Sequence, residues 1–383
     1  MTGPLAGVRV LEVGHMLAGP YCGLLLADLG AEVIKIESPS GDIARSIGPN
    51  SVGEHNVYFA SLNRNKKSVR LDIGDPEDRK AFEELVRTAH AMITNLRPAA
   101  IRKHGLTYDA LRGINERLVC VALTGYGLDS PKAEHPAYDY VIQALTGVMA
   151  LTGEPDGPPT KSGYSAVDNS AGLGAALGLV AKLFEGKGGQ IDLAMYDIML
   201  SQLNYLAAAW LNSGERPTRQ SGSAHPYIVP AQLFRTRDGH LCLFVTHDAF
   251  WRKFADEVGR SDWLTDPRFA TMTARRANRA LVVETVQDVL LQENTETWLR
   301  RLEPIGLVVS GVASLEEALA SDQTRARGMI ASISTESGRI QALANPIKYG
   351  ADGPAPTPPP RLGEHNGDLL RAIRAGVRIG DHG

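Results

Sequence analysis

Asp168 is the residue whose setting most suggests chemistry. It stands in Ser165-Ala166-Val167-Asp168-Asn169-Ser170-Ala171-Gly172, where a glycine- and alanine-rich helical pattern begins. A carboxylate there can simply cap the helix. The same position also suits a carboxylate nucleophile. The helix dipole and free N–H groups favour the ionised form, and small neighbours let a bulky substrate approach. Gly163-Tyr164-Ser165 begins like the nucleophile elbow of a serine hydrolase, but position 167 is Val, so the elbow is absent.

Two other clusters could handle phosphate. The loop Gly14-His15-Met16-Leu17-Ala18-Gly19-Pro20 follows the first strand pattern, where dinucleotide-binding folds cradle phosphates. It has neither Gly-x-Gly-x-x-Gly spacing nor a Lys-Ser after its last glycine. A tight strand-to-helix turn opened by Pro20 is the plainer reading, and it weakens the case for a nicotinamide dehydrogenase. The basic stretch Asn63-Arg64-Asn65-Lys66-Lys67-Ser68-Val69-Arg70, with Arg97, Arg102 and Lys103 beyond it, is either a solvated face or a phosphate site.

The elements that must position these residues alternate. Strand patterns at 7–13, 31–37, 91–94 and 118–123 are separated by helical patterns at 21–29, 75–89 and 108–114. This alternation predicts a parallel sheet covered by helices, a Rossmann-like α/β domain. Helices are then expected at 138–151, from near Asp168 to 183, and at 195–211. The last two are apolar enough to be buried. A polar linker follows at 212–224. A hairpin around Arg237-Asp238-Gly239 and helices at 250–258, 279–291 and 295–302 suggest a small α+β domain at 225–315. Residues 316–383 are read as a linker and a return to the large domain of 1–211. They include the proline-dense stretch 353–360 and a last helix at 367–374.

The bulk composition narrows the function. With 383 residues, more than one domain is expected, since single cores stop growing near roughly 250–300 residues. A net charge of −3 offers no general field for nucleic acid or an anionic membrane. Cys22, Cys120 and Cys242 are scattered among apolar residues and read as buried hydrophobes in a reducing compartment. No metal-binding spacing occurs. The N-terminal residues carry no signal-peptide pattern and no stretch is long enough to span a membrane, so a cytoplasmic protein is expected.

Taken together, the markers resemble the family III CoA-transferases, also called the CaiB/BaiF family, nearly end to end. They are Leu26-Ala27-Asp28-Leu29-Gly30-Ala31-Glu32-Val33-Ile34-Lys35-Ile36-Glu37, Gly41-Asp42 with Arg45, Asn65-Lys66-Lys67-Ser68, and Asn95-Leu96-Arg97-Pro98. Tyr138-Asp139, Leu151-Thr152-Gly153-Glu154-Pro155, Asp168, Arg237-Asp238-Gly239 and Leu362-Gly363-Glu364-His365 follow in order. The resemblance implies a large Rossmann-like domain with an inserted small domain, two such chains interlocking as rings in a homodimer. It implies an enzyme that moves CoA from an acyl-CoA donor to a carboxylic acid through anhydride and aspartyl-CoA thioester intermediates. Acyl-CoA is then a substrate, and no tightly bound cofactor is needed. Asp168 falls on the catalytic aspartate, and His15, Met16, Leu17 and Ala18 fall on the loop beside the thioester. Lys66, Asn95, Leu96, Arg97 and Lys103 fall on CoA contacts, and Asp139 on a carboxylate beside the active site.

Family members that use oxalate or formate carry a glutamine where this chain has Leu17, and a glycine-rich loop that 245–251 lacks. Oxalate is therefore expected to be a poor acceptor, and dicarboxylic acids are preferred. His225 and His247 are either further carboxylate contacts or ordinary hydrogen-bonded histidines. Racemases of this fold place a histidine just before the segment matching Asp139. Tyr138 stands there instead, with His135 the nearest histidine, and a tyrosine of pKa about 10 is a poor base. An acyl-CoA isomerase using the same aspartate, and a non-catalytic CoA-binding protein with an inert Asp168, are the remaining alternatives.

Overall fold

The computed structural model describes residues 3–349 and 355–374. The chain separates into two compact units. The first takes the described residues of Met1–Thr146, Ser162–Tyr205 and Asp322–Gly383. The second takes Gly147–Lys161 and Leu206–Ser321. The second unit thus starts upstream of the expected linker at 212–224, and it also claims the short segment 147–161.

In the first unit, six strands form one parallel sheet. They are β1 (Arg9–Val13), β2 (Glu32–Glu37), β3 (Lys66–Arg70), β4 (Ala91–Thr94), β5 (Val119–Thr124) and β6 (Gly189–Ala194). Their order is β3-β2-β1-β4-β5-β6. The chain winds outward from β1 to β3, then crosses to β4 and winds the other way. The C-terminal ends of β1 and β4 therefore border the switch point of a doubly wound fold, where such sheets bind ligands. β1, β4 and β5 are buried along their whole length, because helices cover both faces.

Two of the six strands differ from the sequence expectation. Residues 63–70 read as a basic surface, yet Lys66–Arg70 is an edge strand in which Lys66, Ser68 and Val69 are buried. Residues 189–194 alternate polar (Gln190, Asp192) and apolar (Ile191, Leu193) character and form the opposite edge. The C-terminal tail covers the β3 edge. His365 donates its N–H to Ser68 O at 3.0 Å, and its Nδ1 accepts from Ser68 N at 3.2 Å. Asn366 holds both the N–H and the carbonyl of Arg70. The Leu362-Gly363-Glu364-His365 marker is thus an edge cover, which satisfies ladder groups that would otherwise be open to another chain.

Four helices matter for the site: α1 (Ala18–Asp28), α2 (Val57–Asn63), α3 (Asp139–Leu145) and α4 (Ala166–Glu185). The pattern at 138–151 does not give one helix. Gly147, at φ 86°, separates α3 from Val148–Leu151. α4 starts two residues before Asp168. It packs on α1 through Gly172, where a Cβ would stand 2.7 Å from the carbonyl oxygen of Ala18. The expectation that this helix is wholly buried fails: Leu173, Leu177 and Phe184 are 52%, 72% and 94% exposed along one stripe. Similarly, 195–211 divides into Met195–Ser201 and Asn204–Ser213, and the latter has no buried residue.

The second unit holds a three-stranded antiparallel sheet of Ala231–Arg235, His240–Phe244 and Val308–Gly311, with the expected hairpin at Arg237-Asp238-Gly239. Trp251, Trp263 and Phe269 stack in its core, with ring centroids 5.2–6.3 Å apart. Arg275 is fully buried against them and spends its donors on Val229 O, Phe269 O and Asp248. Within the proline-dense stretch, Gly353 and Pro354 lie outside the described residues. Thr357 is held by the side chain of Asn65. Among the described residues no helix is long and apolar enough to cross a membrane.

Candidate active site

The loop between β1 and α1 borders the switch point, and it is pinned from two sides. Asn95, just past β4, accepts from His15 N at 3.0 Å and donates to His15 O at 2.8 Å. Gly14 is needed there, since a Cβ would lie 2.2 Å from Asn95 Oδ1. From below, Asp42 Oδ1 accepts from Met16 N at 3.1 Å. Met16 is thereby held at φ 67°, a left-handed conformation that is costly for a side chain of its size. Asp42 is itself paired with Lys35 at 2.8 Å, and Lys35 also meets Glu12 at 2.8 Å. Strain in the loop is thus over-determined by a buried ionic cluster.

His15, Met16, Leu17, Ala18, Asn95, Leu96, Arg97 and Asp168 line one cavity. Tyr58, Thr124, His135, Tyr138 and Met195 are among the other residues of its wall. Tyr138 belongs to the Tyr138-Asp139 marker, whereas His135 enters the sequence reading only through the racemase comparison. Tyr58 and Thr124 carry no sequence signal, because they arrive from a separate helix and a strand end. A second groove, lined by Ser38, Gly41, Asp72 and His104 among others, shares His15 and Leu96 with the first.

Asp168 is not the helix cap. Ser165 occupies that position without a capping side-chain bond, and Asp168 lies in the first turn. The capping is done from outside the helix. Asp139 Oδ2 accepts from Val167 N at 2.7 Å and from Asp168 N at 3.3 Å, and its Oδ1 accepts from Gln143 Nε2 at 2.7 Å. The Asp168 carboxylate makes no hydrogen bond with any described residue. Burial, and then the Asp139 charge, push its pKa up to about 7. Burial, and then the Asp168 charge, raise the Tyr58 hydroxyl as well.

The expected CoA contacts divide. Arg97 and Lys103 are exposed cations with no partner among the described residues, whereas Arg102 pairs with Glu134. Lys66 is a correction. It is 3% exposed, and its ammonium donates to Glu12 Oε2, Pro20 O and Asn63 Oδ1 at 2.7–2.9 Å. All three of its protons are used on β1, α1 and α2, so none is left for a phosphate. His225 Nδ1 accepts from Tyr227 and Ile228, and His247 caps Asp248–Glu257.

The description "CoA-transferase family III" matches residues 5–366. The chain belongs to the family III CoA-transferases. It is 35% identical to an acetyl-CoA:oxalate CoA-transferase of Acetobacter aceti, covering 97% of this chain and 96% of that one. It is also 35% identical to a succinate–glutarate CoA-transferase of Agrobacterium fabrum, with the same coverage. The structure superposes on a CaiB/BaiF family protein from Brucella suis with a TM-score of 0.84 and 35% identity, over 98% of this chain and 100% of that one. The enzyme is therefore a CoA-transferase, with CoA thioesters and carboxylic acids as substrates. Among its described residues no cluster of His, Cys, Asp or Glu could hold a metal ion.

Proposed function

We propose that the enzyme transfers CoA to dicarboxylic acids with Asp168 as its covalent nucleophile. The observation that carries this is the Asp168 carboxylate itself: it faces a cavity, bonds to nothing among the described residues, and is relieved of capping by Asp139. A buried carboxylate without partners is costly and calls for a functional reason. Ionised, Asp168 attacks the thioester carbonyl and expels CoA thiolate, leaving a mixed anhydride. The thiolate attacks the Asp168 carbonyl, releasing the donor acid and forming the aspartyl-CoA thioester. The acceptor carboxylate attacks that carbonyl and again expels thiolate. The thiolate then takes the acceptor's acyl group and frees Asp168. Each intermediate keeps the activation of the thioester, which a serine ester would discard.

The N–H of Ala18, at the start of α1, is a candidate donor to the tetrahedral oxyanions. CoA is best accommodated along the C-terminal edge of the sheet, from the Asp168 cavity past Asn95 and Leu96 into the second groove. Arg97 and Lys103 are the cations free to meet phosphate. His15 and His135 in the cavity wall suit a second carboxylate on the acceptor. The relative acting on succinate and glutarate supports acceptors of that kind. Leu17 in the wall argues against oxalate, although the acetyl-CoA:oxalate CoA-transferase is equally similar overall.

The exposed stripe of Leu173, Leu177 and Phe184 supports a homodimer in which a second chain covers it. The interlocked-ring arrangement belongs to the same proposal, as do the large domain returning after the insert and the absence of a resident cofactor. Three free cysteines fit a cytoplasmic location. The decisive experiment screens acyl-CoA donors against a panel of mono- and dicarboxylic acids by mass spectrometry, with hydroxylamine added. Four- and five-carbon dicarboxylates should outpace oxalate, and the peptide containing Asp168 should carry the hydroxamate. Trapping on another residue, or faster turnover of oxalate, would overturn the assignment.

A further inference from the structure

We propose that Gln143 is a positioning residue for the transfer reaction, one whose side-chain amide locks Asp139 against the N-terminus of α4 and so fixes where Asp168 stands. This rests on the reading of Asp168 as nucleophile and deepens it.

Gln143 is fully buried and sits one helical turn after Asp139 on α3. A buried primary amide is costly unless its donors and acceptor are used. Its Nε2 donates to Asp139 Oδ1 at 2.7 Å, and its Oε1 accepts from Ser162 N at 2.9 Å. Asp139 Oδ2 in turn holds the N–H groups of Val167 and Asp168. One amide therefore fastens both arms of the corner leading into α4, at 162 and at 167–168. It does so from behind, since Gln143 is not part of the cavity wall.

Among the described residues the Asp168 carboxylate has no hydrogen bond of its own to hold it. Its aim at a substrate carbonyl is set by its backbone, and the backbone is set by Asp139. An unclamped Asp139 can rotate about χ2, a broad torsion for a carboxylate. Near-attack geometry is sensitive at the level of an ångström. The residue type also fits the task. Leucine would leave Asp139 Oδ1 bare. Glutamate, when ionised, would set a second carboxylate against Asp139. Asparagine is one methylene shorter. Glutamine alone gives to one side and accepts from the other at this reach.

The test uses the full chain and the variants Gln143→Leu and Gln143→Glu, with kcat, acyl-CoA KM and melting temperature measured across pH. Gln143→Leu should lose about ten- to hundredfold in kcat, the size of one hydrogen bond to a charged group, with KM within about twofold. Gln143→Glu supplies a donor only when protonated. The titrating groups that face it are Asp139 and, beyond it, Asp168. Its kcat as a fraction of wild type should therefore rise as pH falls. A purely structural role would lower the melting temperature and leave that fraction flat, which would overturn the proposal. If Gln143→Leu does not fold, the pH course of Gln143→Glu decides alone. Asp168→Asn is run in parallel. If it is inactive while both Gln143 variants keep wild-type kcat, only the role of Gln143 fails. If it is active, the nucleophile reading fails.

Discussion

Beneath the 14–18 loop, Glu12, Lys35, Lys66 and Asp42 are 0–4% exposed, and each charge lies against an opposite one. On the other side of the same loop, the Asp168 carboxylate faces the cavity with no hydrogen bond and no counter-charge among the described residues. Burial alone would raise Glu12, but Lys35 and Lys66 outweigh it and hold that carboxyl below its ordinary range. Nothing outweighs burial at Asp168, and Asp139 adds to it. The contrast separates charge used for architecture from charge kept available for chemistry. Pairing makes the first kind inert and rigid. Its absence leaves the second with a raised pKa, as the proposed attack on a thioester requires.

The largest effect that would break this contrast is expected at the unpaired carboxylate. Asp168→Asn should lower kcat by at least about 10³-fold while leaving the fold and CoA binding intact, because it removes the nucleophile and little else. Survival of activity in freshly purified protein, with deamidation excluded by mass spectrometry, would place Asp168 among the architectural charges.

A smaller effect is expected from the paired set, and it should fall on stability. Lys66→Met leaves Glu12 buried with one cation fewer, at a cost of about 3–5 kcal/mol in denaturant unfolding. The acyl-CoA KM of the folded fraction should not change. Arg97→Ala is the counterpart on the surface: stability within about 0.5 kcal/mol of wild type, and a KM raised roughly tenfold. If Lys66→Met raised KM and spared stability, the phosphate role expected from sequence would return.

The smallest effect concerns protons. With Asp168 titrating at about 7, kcat/KM should fall with unit slope below that pH, and Asp139→Asn should move the limb downward. Stability carries the same signature. Between the ordinary carboxylate range and about pH 7 the unfolded chain has released the Asp168 proton and the folded chain keeps it, so stability falls as pH rises through that window. Asp168→Asn abolishes this loss. Above neutral pH it should be more stable than wild type by about 1–2 kcal/mol, after discounting for the solvent reaching the cavity. A pH-independent difference between the two melting curves would contradict the raised pKa.

Much of this site was legible before any coordinates. The strand–helix alternation foretold the parallel sheet, and the loop after β1 and the Asn95-Leu96-Arg97 segment were marked before the sheet order brought them to one crevice. Asp168 was marked too, but for a mixed reason, since capping and nucleophilic settings share one sequence pattern. What could not be read was partnership. Lys66 and Arg97 are both cations within family markers, and only the packing decides that the first is buried against Glu12, Pro20 and Asn63 while the second lines the cavity. A lysine-rich edge strand reads as surface because periodicity reports exposure on average, and the tail that covers it lies about 300 residues further along the chain.

Sequence by itself determined the family, the order of the elements and the chemical types assembled for the reaction, because these depend on local pattern and residue identity. Only the tertiary structure decided which of two aspartates caps α4 and which is left free. That choice turns on two hydrogen bonds across 28 and 29 residues, from the N–H groups of Val167 and Asp168 to Asp139 Oδ2, and on a buried glutamine that holds the first aspartate in place. Local propensity gives either carboxylate the same standing as a cap. Three-dimensional packing alone gives Asp139 that task and leaves the Asp168 carboxylate open to the catalytic role proposed for it.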